Sequence, residues 1–354
     1  MIKKINALRE KFADLKVDAV YLTNPVSHRY LTKFDNPDAV LLITEKSAYA
    51  FEDSRYIETA SEKLKGVFTV IEPHGKRSEW LGDILKKEKV KVLGVENLYM
   101  NLYYFENLKK DLDVSFVGVG SAVETMREIK DEWEIEQIKK AQLITDLAFE
   151  HIVKTISPEM TENDVATELE YFMRKHGAED KSFDTIAVSG KKSSMPHGVP
   201  DGTKLQKGFL TMDYGAVVNG YHSDMTRTIC IGKADAEMKK LYNTVLKAQL
   251  DAIAYLKDGV NGKDADAVAR KIIYEDYKGC FGHSLGHGVG LEIHERPNLS
   301  PNFDKILVTG NIVTIEPGIY MAGKYGCRIE DMGVICKDKV DIFTKAPKEL
   351  IELF

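Results

Sequence analysis

The stretch LTMDYGAVVNGYHSDMTRTICIG, residues 210–232, narrows the fold more than any other part of the chain. Two runs of β-forming residues flank Asn219–Gly220, and a two-residue type I′ turn needs φ > 0 at both central positions, which Asn and Gly accept most readily. Such a turn sets the register: Val218 opposes Tyr221, Gly215 opposes Asp224, and Asp213 opposes Thr226. Asp213 and Asp224 then share one face, diagonal to each other and within reach of a common object. An acid in mid-strand between apolar runs is costly to bury without a cation. Gly215 leaves space opposite Asp224, so the hairpin is expected to face a positive charge.

Groups suited to the same purpose gather downstream. Five of the nine histidines lie between 197 and 294, and FGHSLGHGVGLEIHERPNLS, residues 281–300, holds three of them among glycines that allow close approach. Glu316 ends the apolar run NIVTIE, just before Pro317 and Gly318. In CRIEDMGVI, strand alternation puts Arg328, Glu330 and Met332 on one face and turns Asp331 away. Asp213, Asp224, Glu316, Glu330 and His287 together offer four carboxylates and an imidazole, a set that matches two divalent metal ions with a bridging hydroxide. Its oxygen-rich chemistry suits Mn²⁺, Co²⁺, Zn²⁺ or Fe²⁺ better than a thiolate-selecting metal.

The rest of the chain reads as two halves. Residues 1 to about 122 alternate helical stretches such as RSEWLGDILKKE with short apolar runs at 18–24, 39–44, 67–72 and 91–96, the texture of a small α/β domain. His28 and His74 are isolated there and read as packing or surface residues. A long charged helix is expected from about Asp131 to Thr155, then a second one capped by Thr161 and ending near Gly177. Beyond it the sequence turns strand-rich and glycine-rich.

With 354 residues, the chain exceeds the roughly 250–300 at which single cores stop growing, so two domains are expected, at 1–122 and 123–354. A net charge of −6 disfavours a nucleic-acid partner. No apolar run is long enough to span a membrane, and MIKKINALREKFADLK lacks the apolar stretch of a signal peptide, so a cytoplasmic protein is expected. Cys230, Cys280, Cys327 and Cys336 show no CxxC spacing and read as reduced thiols.

In order, PHGVPDGTKLQKGFLTMDYGAVVNGYHSDMTRT, GHGVGLEIHERP, TIEPGIY and RIED closely resemble the pita-bread metallopeptidases, in particular the Xaa-Pro branch of prolidases and aminopeptidase P. The N-terminal half resembles the creatinase-type domain of that branch. The resemblance implies an α/β creatinase-like N-terminal domain and an α+β pita-bread (creatinase/aminopeptidase) catalytic domain. It also implies cleavage of proline-containing peptides before proline, and a homodimer. Carried over, Asp213, Asp224, His287, Glu316 and Glu330 bind metal, with Asp224 bridging and manganese the first choice. Glu316 takes a proton from the attacking water, protonated His294 contacts the scissile peptide and its oxyanion, and His197 lines the pocket. Tyr221, His283, Arg296 and Arg328 complete the expected substrate side, with His222 structural. Many dipeptidases read the free substrate carboxylate with a basic group near the HExP segment. Arg296 is the candidate here, so the choice between dipeptidase and aminopeptidase stays open. A methionine aminopeptidase would share the metal ligands but typically lacks the roughly 120-residue N-terminal domain. A non-hydrolytic relative would have lost ligands, and none is lost.

Overall fold

The computed structural model describes residues 1–354 and divides at Arg127/Glu128 into two units. In the first, the short apolar runs become β1 (Ala19–Leu22), β2 (Val40–Thr44), β3 (Ala48–Phe51), β4 (Thr69–Ile71), β5 (Val92–Val95) and β6 (Ser115–Gly118). They form one mixed sheet in the order β4-β3-β2-β1-β5-β6. Tyr21, Leu42 and Leu93 pack with Leu81 and Leu85 of the helix Arg77–Lys87 in its core. His28 is buried, its Nε2 lying 3.2 Å from Glu52 Oε1, whereas His74 is exposed. The unit continues past residue 122 through the short helix Ala122–Arg127, which packs on its first helix.

The second unit repeats one plan twice. The helices Glu132–Thr155 and Glu162–Lys175 form one pair, and Ala236–Tyr255 and Gly262–Asp276 form the other. The shorter helix of the first pair opens on a capping box, in which Thr161 Oγ1 accepts from the Asp164 amide and the Asp164 carboxylate accepts from the Thr161 amide. The second pair corrects the expectation of a strand-rich continuation after Gly177. It has the usual signals: Asp235 caps the Met238 amide, and Leu241, Tyr242, Val245, Ala248 and Ala252 recur at helical spacing.

Each helix pair covers strands. The unit contains β7 (Asp180–Lys181), β8 (Ile186–Ser189), β9 (Gly208–Tyr214), β10 (Ala216–Val218), β11 (Tyr221–His222) and β12 (Met225–Ile231). After the second helix pair come β13 (Gly286–Gly288), β14 (Glu295–Leu299), β15 (Ile312–Ile315), β16 (Gly318–Met321), β17 (Tyr325–Arg328), β18 (Asp331–Ile335), β19 (Val340–Ile342) and β20 (Glu352–Leu353). The larger sheets run β20-β12-β9-β8 and β14-β13-β15-β18-β19. Leu210, Met212 and Tyr214 of β9, with Met225, Ile229 and Ile231 of β12, pack on the first helix pair. Alternation therefore sends Asp213 and Thr226 to the opposite face.

The hairpin has the register that its turn implies. Asn219 and Gly220 both have positive φ, at 50° and 77°, Val218 pairs with Tyr221, and Asp213 pairs with Thr226. Gly215 is required for a reason other than open space beside Asp224: a Cβ there would lie 1.9 Å from the Ser223 carbonyl oxygen. Gly286 is similar, since its Cβ would meet the Thr314 carbonyl oxygen at 2.0 Å, and this close approach lets β13 deliver His287 beside β15. Gly286→Ala should therefore lower unfolding stability by about 1–3 kcal/mol, as overpacking does. Chemical denaturation checks this, and an unchanged midpoint would mean that the two strands part at no cost.

Candidate metal centre

Four carboxylates converge between the two larger sheets of the second unit. Asp213 comes from β9, Asp224 from the residue before β12, Glu316 from the residue after β15 and Glu330 from the residue before β18. His287 reaches them from β13. Its Nε2 lies 3.5 Å from Asp224 Oδ2 and 3.4 Å from Glu316 Oε1. The other ring nitrogen, Nδ1, lies 3.0 Å from the Gly288 carbonyl oxygen, which as an acceptor fixes the N–H there and leaves the Nε2 lone pair facing the acids. Ligand atoms of Asp224, His287 and Glu330 all fall within 4.8 Å of one another.

Hydrogen bonds hold several of the side chains around this cluster. Thr226 Oγ1 donates to Glu330 Oε2 at 2.7 Å and accepts from Arg328 Nε at 2.9 Å. Arg328 Nη2 donates to Asp213 Oδ2 at 2.6 Å, and Nη1 donates to the Tyr320 hydroxyl at 2.6 Å. Thr314 Oγ1 donates to Glu316 Oε1. Asp213 Oδ1 and Glu330 Oε1 are buried with no hydrogen-bond partner. Buried acceptors left open in this way carry a desolvation cost that a cation would remove.

Charge gives the same answer. Burial, followed by Asp213 and Glu316, pushes Asp224 well above the usual carboxylate range. Burial, followed by Asp224 and Glu316, does the same to Glu330. Glu316 is pushed up to about 8, chiefly by burial. His287 falls to about 4 through burial and then the neighbouring His294, so it is the neutral form that a metal requires. A cation among these groups would return the acids to their ionised state.

The cluster lines a cavity of about 830 Å³ that also takes in His197, His283, His294 and Arg328. The His294 ring lies 4.4 Å from that of His287, centroid to centroid. Burial and then His197 lower the pKa of His294, which favours its neutral imidazole with one N–H to donate. His283 is tied through Nε2 to the Tyr320 hydroxyl at 3.0 Å. Arg328 also donates to the Pro196 carbonyl oxygen, holding the segment that carries His197.

Two expected substrate residues fall elsewhere. Tyr221 is buried away from the cavity, with its hydroxyl donating to Glu134 Oε1 at 2.7 Å and its ring edge-on to Trp133, so its role is packing. Arg296 is exposed and does not line the cavity. His287 pairs with Asn298 but Gly288 with Glu295, so Arg296 and Pro297 form a bulge that interrupts alternation and leaves Asn298 in the cavity wall instead. His222 is held by the Ser182 hydroxyl, 2.8 Å from its Nδ1. Sequence reasoning missed Thr226 and Tyr320. The hairpin register already placed Thr226 opposite Asp213, whereas nothing local marks Tyr320.

Fold and site together define a metal-dependent hydrolase of the pita-bread class. Residues 136–337 match metallopeptidase family M24, and residues 4–129 match the creatinase/prolidase N-terminal domain. The chain belongs to metallopeptidase family M24. It is 36% identical to an Xaa-Pro dipeptidase of Pyrococcus horikoshii over 99% of each chain. It superposes on a solved Xaa-Pro dipeptidase from Bacillus anthracis with a TM-score of 0.97 and 41% identity over 99% of both chains. An X-Pro aminopeptidase from Thermotoga maritima gives 0.91 and 36%, covering 97% of this chain and all of the other. No helix is long and apolar enough to cross a membrane.

Proposed function

We propose that this metallopeptidase removes an N-terminal residue that precedes proline, using two divalent cations held by Asp213, Asp224, His287, Glu316 and Glu330. The observation that carries this reading is the acid cluster with its two unpartnered oxygens, on Asp213 and Glu330. Four carboxylates less the one guanidinium of Arg328 leave three negative charges in the cavity, more than a single divalent cation cancels. All the donors are oxygen or imidazole nitrogen, which favours manganese, with cobalt, zinc or iron next. Four free cysteines accord with a reducing, cytoplasmic setting, and a homodimer completes the reading by resemblance.

Bound at these residues, the cations supply an acidified water and polarise the scissile carbonyl. The protein's own groups do the rest. Glu316 takes a proton from the attacking water and later returns it to the departing nitrogen. His294 donates its N–H to the oxygen on which charge develops. His283, lowered to about 3 by burial and then Arg328, stays neutral and orients through Tyr320. Phe183, Val199 and Ile293 give the cavity apolar wall for a pyrrolidine ring, which brings no N–H of its own and so needs no acceptor.

Metal analysis after purification with Mn²⁺, joined to hydrolysis of Ala-Pro, Ala-Pro-Ala and Met-Ala-Ala, tests the reading. The expected result is about two equivalents of metal, from the charge count above, with cleavage only before proline. Less than one equivalent would sink the metal assignment, and preferred cleavage of Met-Ala-Ala would sink the proline specificity.

A further inference from the structure

We propose that the cavity is built for peptides longer than two residues, with a second wall that receives the part of the substrate following the proline. The proposal rests on the Xaa-Pro reading and adds to it the length class of the substrate. Relatives bearing dipeptidase and aminopeptidase names leave that class open.

Size is the first observation. At about 830 Å³, the cavity lies in the upper part of the range, about 300–1,000 Å³, that encloses ligands of drug size. The acid cluster and its histidines account for one part of the lining. Beyond them the wall continues onto a face of the helix Glu162–Lys175, through Asn163, Thr167 and Glu170, and onto Lys181 and Asp184 in the segment between β7 and β8. The residues that follow the proline would lie against this wall.

Charge is the second. A dipeptide carries its free carboxylate on the proline itself, so a site made for it should meet that carboxylate with an unpaired cation. The arginine and lysine of the cavity wall are both already paired. Arg328 is committed to Asp213 and Tyr320, and Lys181 lies 3.3 Å from Glu170 and 3.0 Å from Asp184. Arg296 is outside, and the side chain that reaches the wall from β14 is the neutral amide of Asn298. In a longer peptide the proline carbonyl is an ordinary amide acceptor that neutral groups satisfy, and the terminal carboxylate moves away from the acids.

The polarity of the second wall is the third. Asn163, Thr167 and Thr185 offer neutral donors and acceptors matched to a continuing peptide backbone. Glu170 and Asp184 outnumber Lys181, so the wall leans negative and opposes a carboxylate placed against it.

Steady-state kinetics of the Mn²⁺-loaded full chain on Ala-Pro, Ala-Pro-Ala and Ala-Pro-Ala-Ala tests this, together with Thr167→Trp, an exposed helix position where an indole would fill the second wall. The tripeptide should exceed the dipeptide in kcat/KM by on the order of tenfold or more, and Thr167→Trp should bring that ratio down towards one. Asp184→Trp, in an exposed loop, gives the same readout should the helix variant fold poorly. Equal or better turnover of Ala-Pro overturns the proposal, as does a ratio that neither tryptophan alters in folded protein. Cleavage of Met-Ala-Ala as fast as the proline peptides overturns the Xaa-Pro reading instead, which separates the two failures.

Discussion

Asp224→Asn should abolish turnover and metal uptake while leaving the protein folded. Asp224 lies at the junction of the cluster, close to His287 and within the group that includes Glu330, so losing its charge removes a ligand common to the whole site. Electrophilic catalysis by a bound metal is worth several kcal/mol, and about 4 kcal/mol is roughly 10³ in rate, so the loss should reach at least that order. The fold should survive because both hairpin strands are held by a continuous ladder and by the apolar face packed on the first helix pair. Stability supplies an independent readout. In metal-free protein, burial raises Asp224 and Glu316, and a carboxyl whose folded pKa is raised favours the folded state only while protonated. Metal-free wild type should therefore lose stability as pH rises from the ordinary glutamate value of 4.5 towards about 8. Mn²⁺ should cancel that loss in the wild type but barely move the Tm of Asp224→Asn. A variant with wild-type metal content and retained turnover would refute the ligand assignment.

His294→Ala should lower kcat by on the order of 10² to 10³ with metal content unchanged, the cost typical of one oxyanion donor. His294 lines the cavity with its ring 4.4 Å from that of His287, beside the acid cluster and exposed to a bound substrate. A change confined to KM would make it a binding residue.

Much of the site could be read along the chain because its elements are local. Asn219–Gly220 accepts positive φ at both positions, and once the turn is set, the period of two along a strand dictates which acids share a face. Strand parity likewise separates Glu330, which faces the cavity, from Asp331, which accepts from Arg227 Nη2 on the other side. The helix Glu162–Lys175 begins where its capping residues say it should. These features depend on neighbours a few residues apart, where backbone sterics and alternation leave few options.

Long-range contacts decided the remainder. Arg296 lost its expected place because β14 bulges against β13, a mismatch between strands that no residue of HERP reveals by itself. Tyr221 points to the helix Glu132–Thr155 because Glu134, 87 residues earlier in the chain, accepts its hydroxyl proton. Tyr320 joins His283 to Arg328, and Thr226 joins Arg328 to Glu330, through contacts that exist only once the sheets face each other. The composition of the acid cluster was thus determined by sequence alone. Which oxygens stay unpartnered, which histidines become neutral and how far the cavity extends were set by tertiary structure, because burial and charge proximity belong to the packed state.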